Sequence, residues 1–260
     1  MAKIVAIANQ KGGVGKTTTA VNLAASVAGN QQTVLLIDLD PQGNATMGSG
    51  VDKSALVHSM NEVLLRDCLA EQACLSTNVG FDLLPANGDL TVAEVSLMEQ
   101  SHREMILYKA LQPIQQRYDY IFIDCPPTLN TLTLNALVAA DSVIIPMQCE
   151  YYALEGLAAL LTTVEQVQAS VNTRLHVEGI LRTLYDARNR LSIEVSRQLL
   201  EHFKQKVYRT VIPRNVRLAE APSHGLPILQ YDKASSGAAA YMVLASEFLG
   251  KQTVVRGSVA

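Results

Sequence analysis

Residues 10–18 read Gln-Lys-Gly-Gly-Val-Gly-Lys-Thr-Thr, a glycine-rich turn carrying two lysines and two threonines. A segment of this kind suits one task, holding a phosphate. Gly12, Gly13 and Gly15 let the backbone wrap closely around an anion, since no Cβ intervenes, and Val14 sits among them. Lys16 offers a cation to the outer phosphates, and Thr17, next to Thr18, offers a hydroxyl to magnesium. Lys11 is a second cation, surplus to that set. The strict spacing G-x-x-x-x-G-K-[ST] is not met, because its first glycine would fall at Gln10. The plain alternative is a surface turn rich in glycine and lysine, and the flanking segments argue against it.

Carboxylates stand at two further points. Val34-Leu35-Leu36-Ile37-Asp38 runs into Leu39-Asp40-Pro41-Gln42-Gly43-Asn44. Asp38 could complete the outer shell of a magnesium ion, and Asp40 could accept a hydrogen bond from a water attacking the γ-phosphate. Asp40 as a turn cap before Pro41 is the structural alternative. Tyr120-Ile121-Phe122-Ile123-Asp124 is an apolar run ending in an aspartate, the Walker B pattern, in which the run is buried and the carboxylate emerges beside the metal. Cys125-Pro126-Pro127-Thr128 then forms a stiff loop suited to sensing the γ-phosphate. The four cysteines, Cys68, Cys74, Cys125 and Cys149, make no C-x-x-C pair and have no histidine cluster beside them, so they read as buried reduced thiols.

The elements that must position these groups alternate. Strands are expected near 3–8, 33–38, 81–84, 119–124, 142–146, 176–182 and 207–212. Helices are expected near 16–29, 54–69, 91–117, 131–140, 152–170, 191–205 and 237–249. The pattern predicts an α/β fold, a doubly wound and mostly parallel sheet with helices on both faces, of P-loop NTPase type. Ligands of such sheets bind outside the carboxyl ends of strands, where each motif above falls. The chain of 260 residues, 48% hydrophobic, is expected to form one domain over 1–260. It has no apolar run long enough for a membrane helix and no room for a signal peptide, which predicts a cytoplasmic protein. The net charge of −3 hides a division. Residues 1–170 hold 8 Lys/Arg and 17 Asp/Glu, whereas residues 171–260 hold 13 and 7. The basic portion hints at a polyanion-binding face; ordinary solvated helix surface is the alternative.

The segments 11–18, 38–46 and 124–127 together resemble the deviant Walker A ATPases of the MinD/ParA superfamily. Ile212-Pro213-Arg214-Asn215-Val216-Arg217-Leu218-Ala219-Glu220-Ala221-Pro222-Ser223-His224-Gly225 narrows the resemblance to the chromosomal ParA/Soj branch, which segregates DNA with a ParB partner. The likeness spans nearly the whole chain, though 52–80 matches no recognisable pattern. It implies ATP and Mg2+ as cofactors, with Lys16 on the β- and γ-phosphates and Thr17 on magnesium. Asp124 would support the metal through its outer shell, and Asp40 would position the hydrolytic water. Lys11 would reach the nucleotide of a second subunit, making ATP the glue of a homodimer. Pro213 and Asn215 would lie near the adenine, and Arg188 and Arg217 would contact DNA phosphates, with Arg190, Lys204, Lys206 and Lys233 next in line. The implied partners are non-specific double-stranded DNA and a ParB- or Spo-type centromere-binding protein, and the implied location is the nucleoid.

Three other readings are weaker. A MinD-like membrane cycle needs an amphipathic basic tail, and residues 251–260 offer β-branched residues, a glycine and little apolar face. A metabolic or iron–sulfur scaffold ATPase needs paired cysteines, and Cys125 has no partner at suitable spacing. A non-catalytic filament former has no use for Asp40.

Overall fold

Short apolar runs become buried strands here because each is covered on both faces. The strands are β1 (Lys3–Ile7), β2 (Val34–Asp38), β3 (Leu75–Ser76), β4 (Asp82–Leu84), β5 (Tyr120–Asp124), β6 (Ser142–Gln148), β7 (His176–Tyr185) and β8 (Val207–Pro213). The computed structural model describes residues 1–151 and 153–257. Among these the strands form one sheet in the order β3-β4-β2-β5-β1-β6-β7-β8, parallel except for the β3–β4 pair.

Alternation along each strand divides the core in two. Ile4, Ala6, Leu35, Ile37, Ile121 and Ile123 face one side. Val5, Ile7, Leu36, Tyr120 and Phe122 face the other. The second side is roofed by α1 (Lys16–Ala28) and α12 (Ser236–Gly257), with α2 (Asn44–Gly48), α10 (Val216–Glu220) and α11 (Ile228–Tyr231) filling around them. Phe248 of α12 meets Tyr120 edge-on at 5.3 Å, an aromatic contact that docks the last long helix onto the central strand. The first side is covered by α3 (Met60–Leu65), α4 (Ala70–Ala73), α5 (Leu90–Leu97), α6 (Ile106–Leu111), α7 (Thr131–Ala139), α8 (Ala153–Ser170) and α9 (Arg190–Phe203).

The expected doubly wound parallel sheet is therefore present, and the seven expected strands all appear. Two long expected helices are broken. The stretch 54–69 keeps only α3, because the Asp52 side chain folds residues 52–54 into a turn and helix growth starts at the Ser59–Glu62 capping box. Arg66, in left-handed geometry at φ 67°, then stops it. The stretch 91–117 divides at His102, also left-handed at φ 53°, and α6 ends shortly before Pro113. The antiparallel β3 and the short α2 and α4 had no counterpart in the sequence reading. The helix expected from 152 begins at Ala153, residue 152 lying outside the described residues. The last helix runs on to Gly257, so the tail considered for membrane binding is partly α12, and its residues 258–260 lie outside the described residues. Among the described residues no helix is long and apolar enough to cross a membrane.

Candidate functional site

The loop between β1 and α1 turns through Gly13 at φ 73° and Gly15 at φ 83°, conformations that side chains with a Cβ rarely adopt. Gly15 is the N-cap of α1 and gives it no side-chain cap, so the first N–H groups of the helix are left to a ligand. Thr183 ties the loop down: its hydroxyl, at the end of β7, donates to the Val14 carbonyl at 2.7 Å. Lys16 is buried, with Nζ donating to the Lys11 carbonyl at 3.0 Å. Burial lowers its pKa, opposed by the carboxylate of Asp124.

Strand register brings the carboxylates to the same edge. Asp38 pairs with Asp124 across β2 and β5, and Ile7 pairs with Asp124 across β1 and β5. Both aspartates are fully buried. Burial pushes Asp38 up to about 6, against hydrogen bonds from Thr46 and the Asp40 backbone. Burial, then the Asp38 charge, pushes Asp124 well above the ordinary carboxylate range. Both Asp124 oxygens are buried, and among the described residues they lack a well-formed hydrogen bond, the Thr17 hydroxyl approaching only weakly. A buried carboxylate without a good donor is costly, and a magnesium ion with its waters is the group that would satisfy it beside Lys16 and Thr17. No cluster of three or more His, Cys, Asp or Glu among the described residues could chelate a metal alone.

Asp38 itself is committed elsewhere. It accepts from the Thr46 backbone at 2.8 Å, the Thr46 hydroxyl at 2.7 Å and the Asp40 backbone at 3.2 Å. Thr46 in turn accepts from the Ala86 backbone at 2.9 Å. These bonds make Asp38 an anchor of the loop that carries Asp40. Asp40 is nearly buried, and one oxygen accepts from the Gln42 backbone at 2.9 Å. The turn-cap role is thus present, and among the described residues the second oxygen has no hydrogen-bond partner.

Lys11 points away from the loop, its Nζ paired with Glu150 after β6. Its backbone N–H donates to the Asn9 side chain at 3.0 Å. Gly15, Thr18, Pro213, Asn215 and Tyr241 line a cavity of about 100 Å³ beside α1, where a base attached to loop-bound phosphates would lie. Pro213 and Asn215 thus share one cavity lining, and the Asn215 amide is engaged. It caps α10 by accepting from Leu218 at 3.2 Å, and it donates to Ser236 at 2.8 Å. Gly12 and Thr17 complete the loop beside them.

Arg188 and Arg217 both sit near the carboxyl ends of β7 and β8, exposed. Tyr185 pairs with Pro213, and the Arg214 backbone donates to Tyr185 at 3.2 Å, which joins the two arginine-bearing segments. Lys204 and Lys206 lie elsewhere, lining a cleft of about 990 Å³ at the amino ends of β7 and β8. Sequence reasoning missed Thr46, Glu150, Thr183, Tyr241 and Arg214. Glu150, Thr183 and Tyr241 are brought in by tertiary contact and carry no local signal; Thr46 stood within the 38–46 segment and Arg214 within the Pro213–Asn215 motif.

A family model described as an AAA domain matches residues 2–177. The sporulation initiation inhibitor protein Soj of Bacillus subtilis is 53% identical over 95% of this chain and 98% of its own. The chromosome partitioning protein ParA of Myxococcus xanthus is 48% identical over 96% of this chain and 89% of its own. The crystal structure of a cobyrinic acid a,c-diamide synthase from Mycobacterium smegmatis, with bound ADP and magnesium, is 40% identical. It covers 95% of this chain and 93% of its own, with a TM-score of 0.83. A sheet of this order, a phosphate loop backed by Asp124 and relatives of this identity lead to one statement: the chain belongs to the ParA/Soj family of P-loop partitioning ATPases.

Proposed function

We propose that the chain acts as one unit, an ATP-driven switch for DNA segregation. The loop N–H groups and Lys16 bind the β- and γ-phosphates. Thr17, and Asp124 through water, hold magnesium, which when bound offsets charge that builds on the phosphates during hydrolysis. Asp40 positions the attacking water from the loop that Asp38 and Thr46 anchor. Lys11 leaves Glu150 and reaches the nucleotide of a second copy, as an arginine finger does, so ATP joins two subunits. The carrying observation is the poorly paired buried carboxylate of Asp124 beside Lys16 and Thr17, with Lys11 parked outside the loop on a surface ion pair.

Dimerisation doubles the basic face, and phosphate contacts by two copies on one rigid body bind DNA far more tightly than one. Arg188 and Arg217 contact phosphates, which gives binding without base readout. Hydrolysis, prompted by a ParB-type partner, releases the DNA. This activity belongs in the cytoplasm, on the nucleoid. The names of the ParA and Soj relatives support the reading. The test is DNA binding by the purified chain with and without ATP. ATP should tighten it and rising salt should weaken it steeply; Lys11→Ala should still bind ATP but lose the ATP effect on DNA. Equal DNA affinity with and without ATP would contradict the switch.

A further inference from the structure

The arginines that the proposed DNA face depends on are not free. Arg188 donates Nε and Nη2 to the two oxygens of Asp186 at 3.0 and 2.9 Å, while its own backbone N–H donates to the same carboxylate at 3.0 Å. The planar guanidinium meets a planar carboxylate side-on, the geometry it would also use on a phosphate. Arg217 is held from two sides, by Glu220 at 2.8 Å and by Asp232 at 3.4 Å. Glu220 is itself steadied by the Tyr231 hydroxyl at 3.1 Å. Arg190, Arg214 and Lys233 differ: among the described residues none of them makes an ion pair, although Arg214 adjoins the same segment through Tyr185.

We propose that Asp186, Glu220 and Asp232 are internal phosphate mimics that mask Arg188 and Arg217 and must be displaced when DNA binds. This rests on the DNA-binding reading above and deepens it. The acidic residues stand within the basic portion of the chain, against its overall sign, and each lies on one of the two arginines rather than spread over the surface. Exposed ion pairs contribute little to folding, so these cost the fold almost nothing to open. Their consequence falls on binding. Each phosphate must take the guanidinium from a carboxylate already in place, and the carboxylate, once freed, remains close to the DNA and repels it. Arg190, Arg214 and Lys233 make the first, weak encounter. The masked arginines engage only when a second copy holds the duplex in place long enough for exchange. A single subunit therefore binds poorly and the dimer well, which sharpens the switch beyond the doubling of charge.

The test is a double-mutant cycle on DNA affinity with ATP present, using a labelled duplex of arbitrary sequence at fixed salt. The variants are Asp186→Asn, Arg188→Ala and the two combined. Asn keeps an oxygen to accept the Arg188 backbone N–H, so the turn is preserved. Asp186→Asn should tighten binding about fivefold, and in the Arg188→Ala background only the smaller gain from relieved repulsion should remain. Glu220→Gln should behave likewise with and without Arg217→Ala. An equal gain in the arginine-less background would mean a general charge effect and would overturn the mask; so would no gain, or a loss, on Asp186→Asn and Glu220→Gln. If neither the wild-type chain nor any variant bound DNA in any nucleotide state, the DNA reading would fall and the mask with it.

Discussion

The two ends of the sheet treat buried charge in opposite ways. At the carboxyl end, Asp38 and Asp124 are buried side by side, and among the described residues Asp124 has only the weak approach of the Thr17 hydroxyl. At the amino end, Glu178 is less deeply buried and saturated. It accepts from Lys3 at 2.6 Å, Ser142 at 2.8 Å and Gln252 at 2.8 Å, and His176 stands 3.7 Å away. Burial alone would raise the Glu178 pKa, yet these partners hold it well below the usual range. The contrast separates a group kept for stability from one kept for a ligand. The floor ties β1, β6, β7 and α12 together, whereas the top holds two buried carboxyls whose charge a bound cation would relieve.

The widest separation of the two ends comes from Lys16→Ala. It should weaken ATP binding by about a hundredfold or more while leaving the melting temperature of the nucleotide-free protein nearly unchanged. Isothermal titration and a thermal melt report the two quantities. Glu178→Ala is the mirror image. It strands Lys3 in a half-buried site and should cost about 3 kcal/mol of stability in a denaturant titration, with ATP affinity intact. A loss of ATP affinity there would break the division between the ends.

A smaller effect, of unusual sign, belongs to Asp124→Asn. Removing one of two adjacent buried carboxylates should raise the melting temperature of the nucleotide-free protein by a few degrees while abolishing magnesium-dependent turnover. The ends should also titrate in opposite senses. A carboxyl raised in the folded state, as Asp38 is to about 6 from 3.8, favours folding at low pH, and that advantage is lost as pH rises through 6. Glu178, depressed in the folded state, contributes stability above its unfolded value of 4.5 that is lost as pH falls. Stability curves of Asp38→Asn and Glu178→Gln, compared with wild type across that range, check both signs.

The top was far more legible in sequence than the floor. Lys16, Thr17, Asp40 and Asp124 lie in short segments in which residue type and spacing follow from phosphate and metal chemistry, and every segment follows a strand. The strand positions were legible because buried parallel strands are continuous apolar runs. The Lys3–Glu178–Gln252 cluster joins residues about 75 to 250 positions apart in the chain and leaves no local trace. Glu150 was hidden for the same reason, and so was the commitment of Asp38 to Thr46, since a carboxylate after a strand reads alike whether it serves a metal or a loop. The helix breaks at Arg66 and His102 depend on left-handed backbone at residues with no glycine to announce it.

The central claim is that ATP held at the top of the sheet, not any surface of the resting chain, joins two subunits. Light scattering of Asp40→Ala, which should retain ATP without consuming it, tests this most directly. The account predicts a monomer without nucleotide and a dimer with ATP and magnesium, and no ATP-induced dimer when Lys11→Ala is added. A mass that does not change with ATP, or a dimer that forms equally well without Lys11, would contradict it.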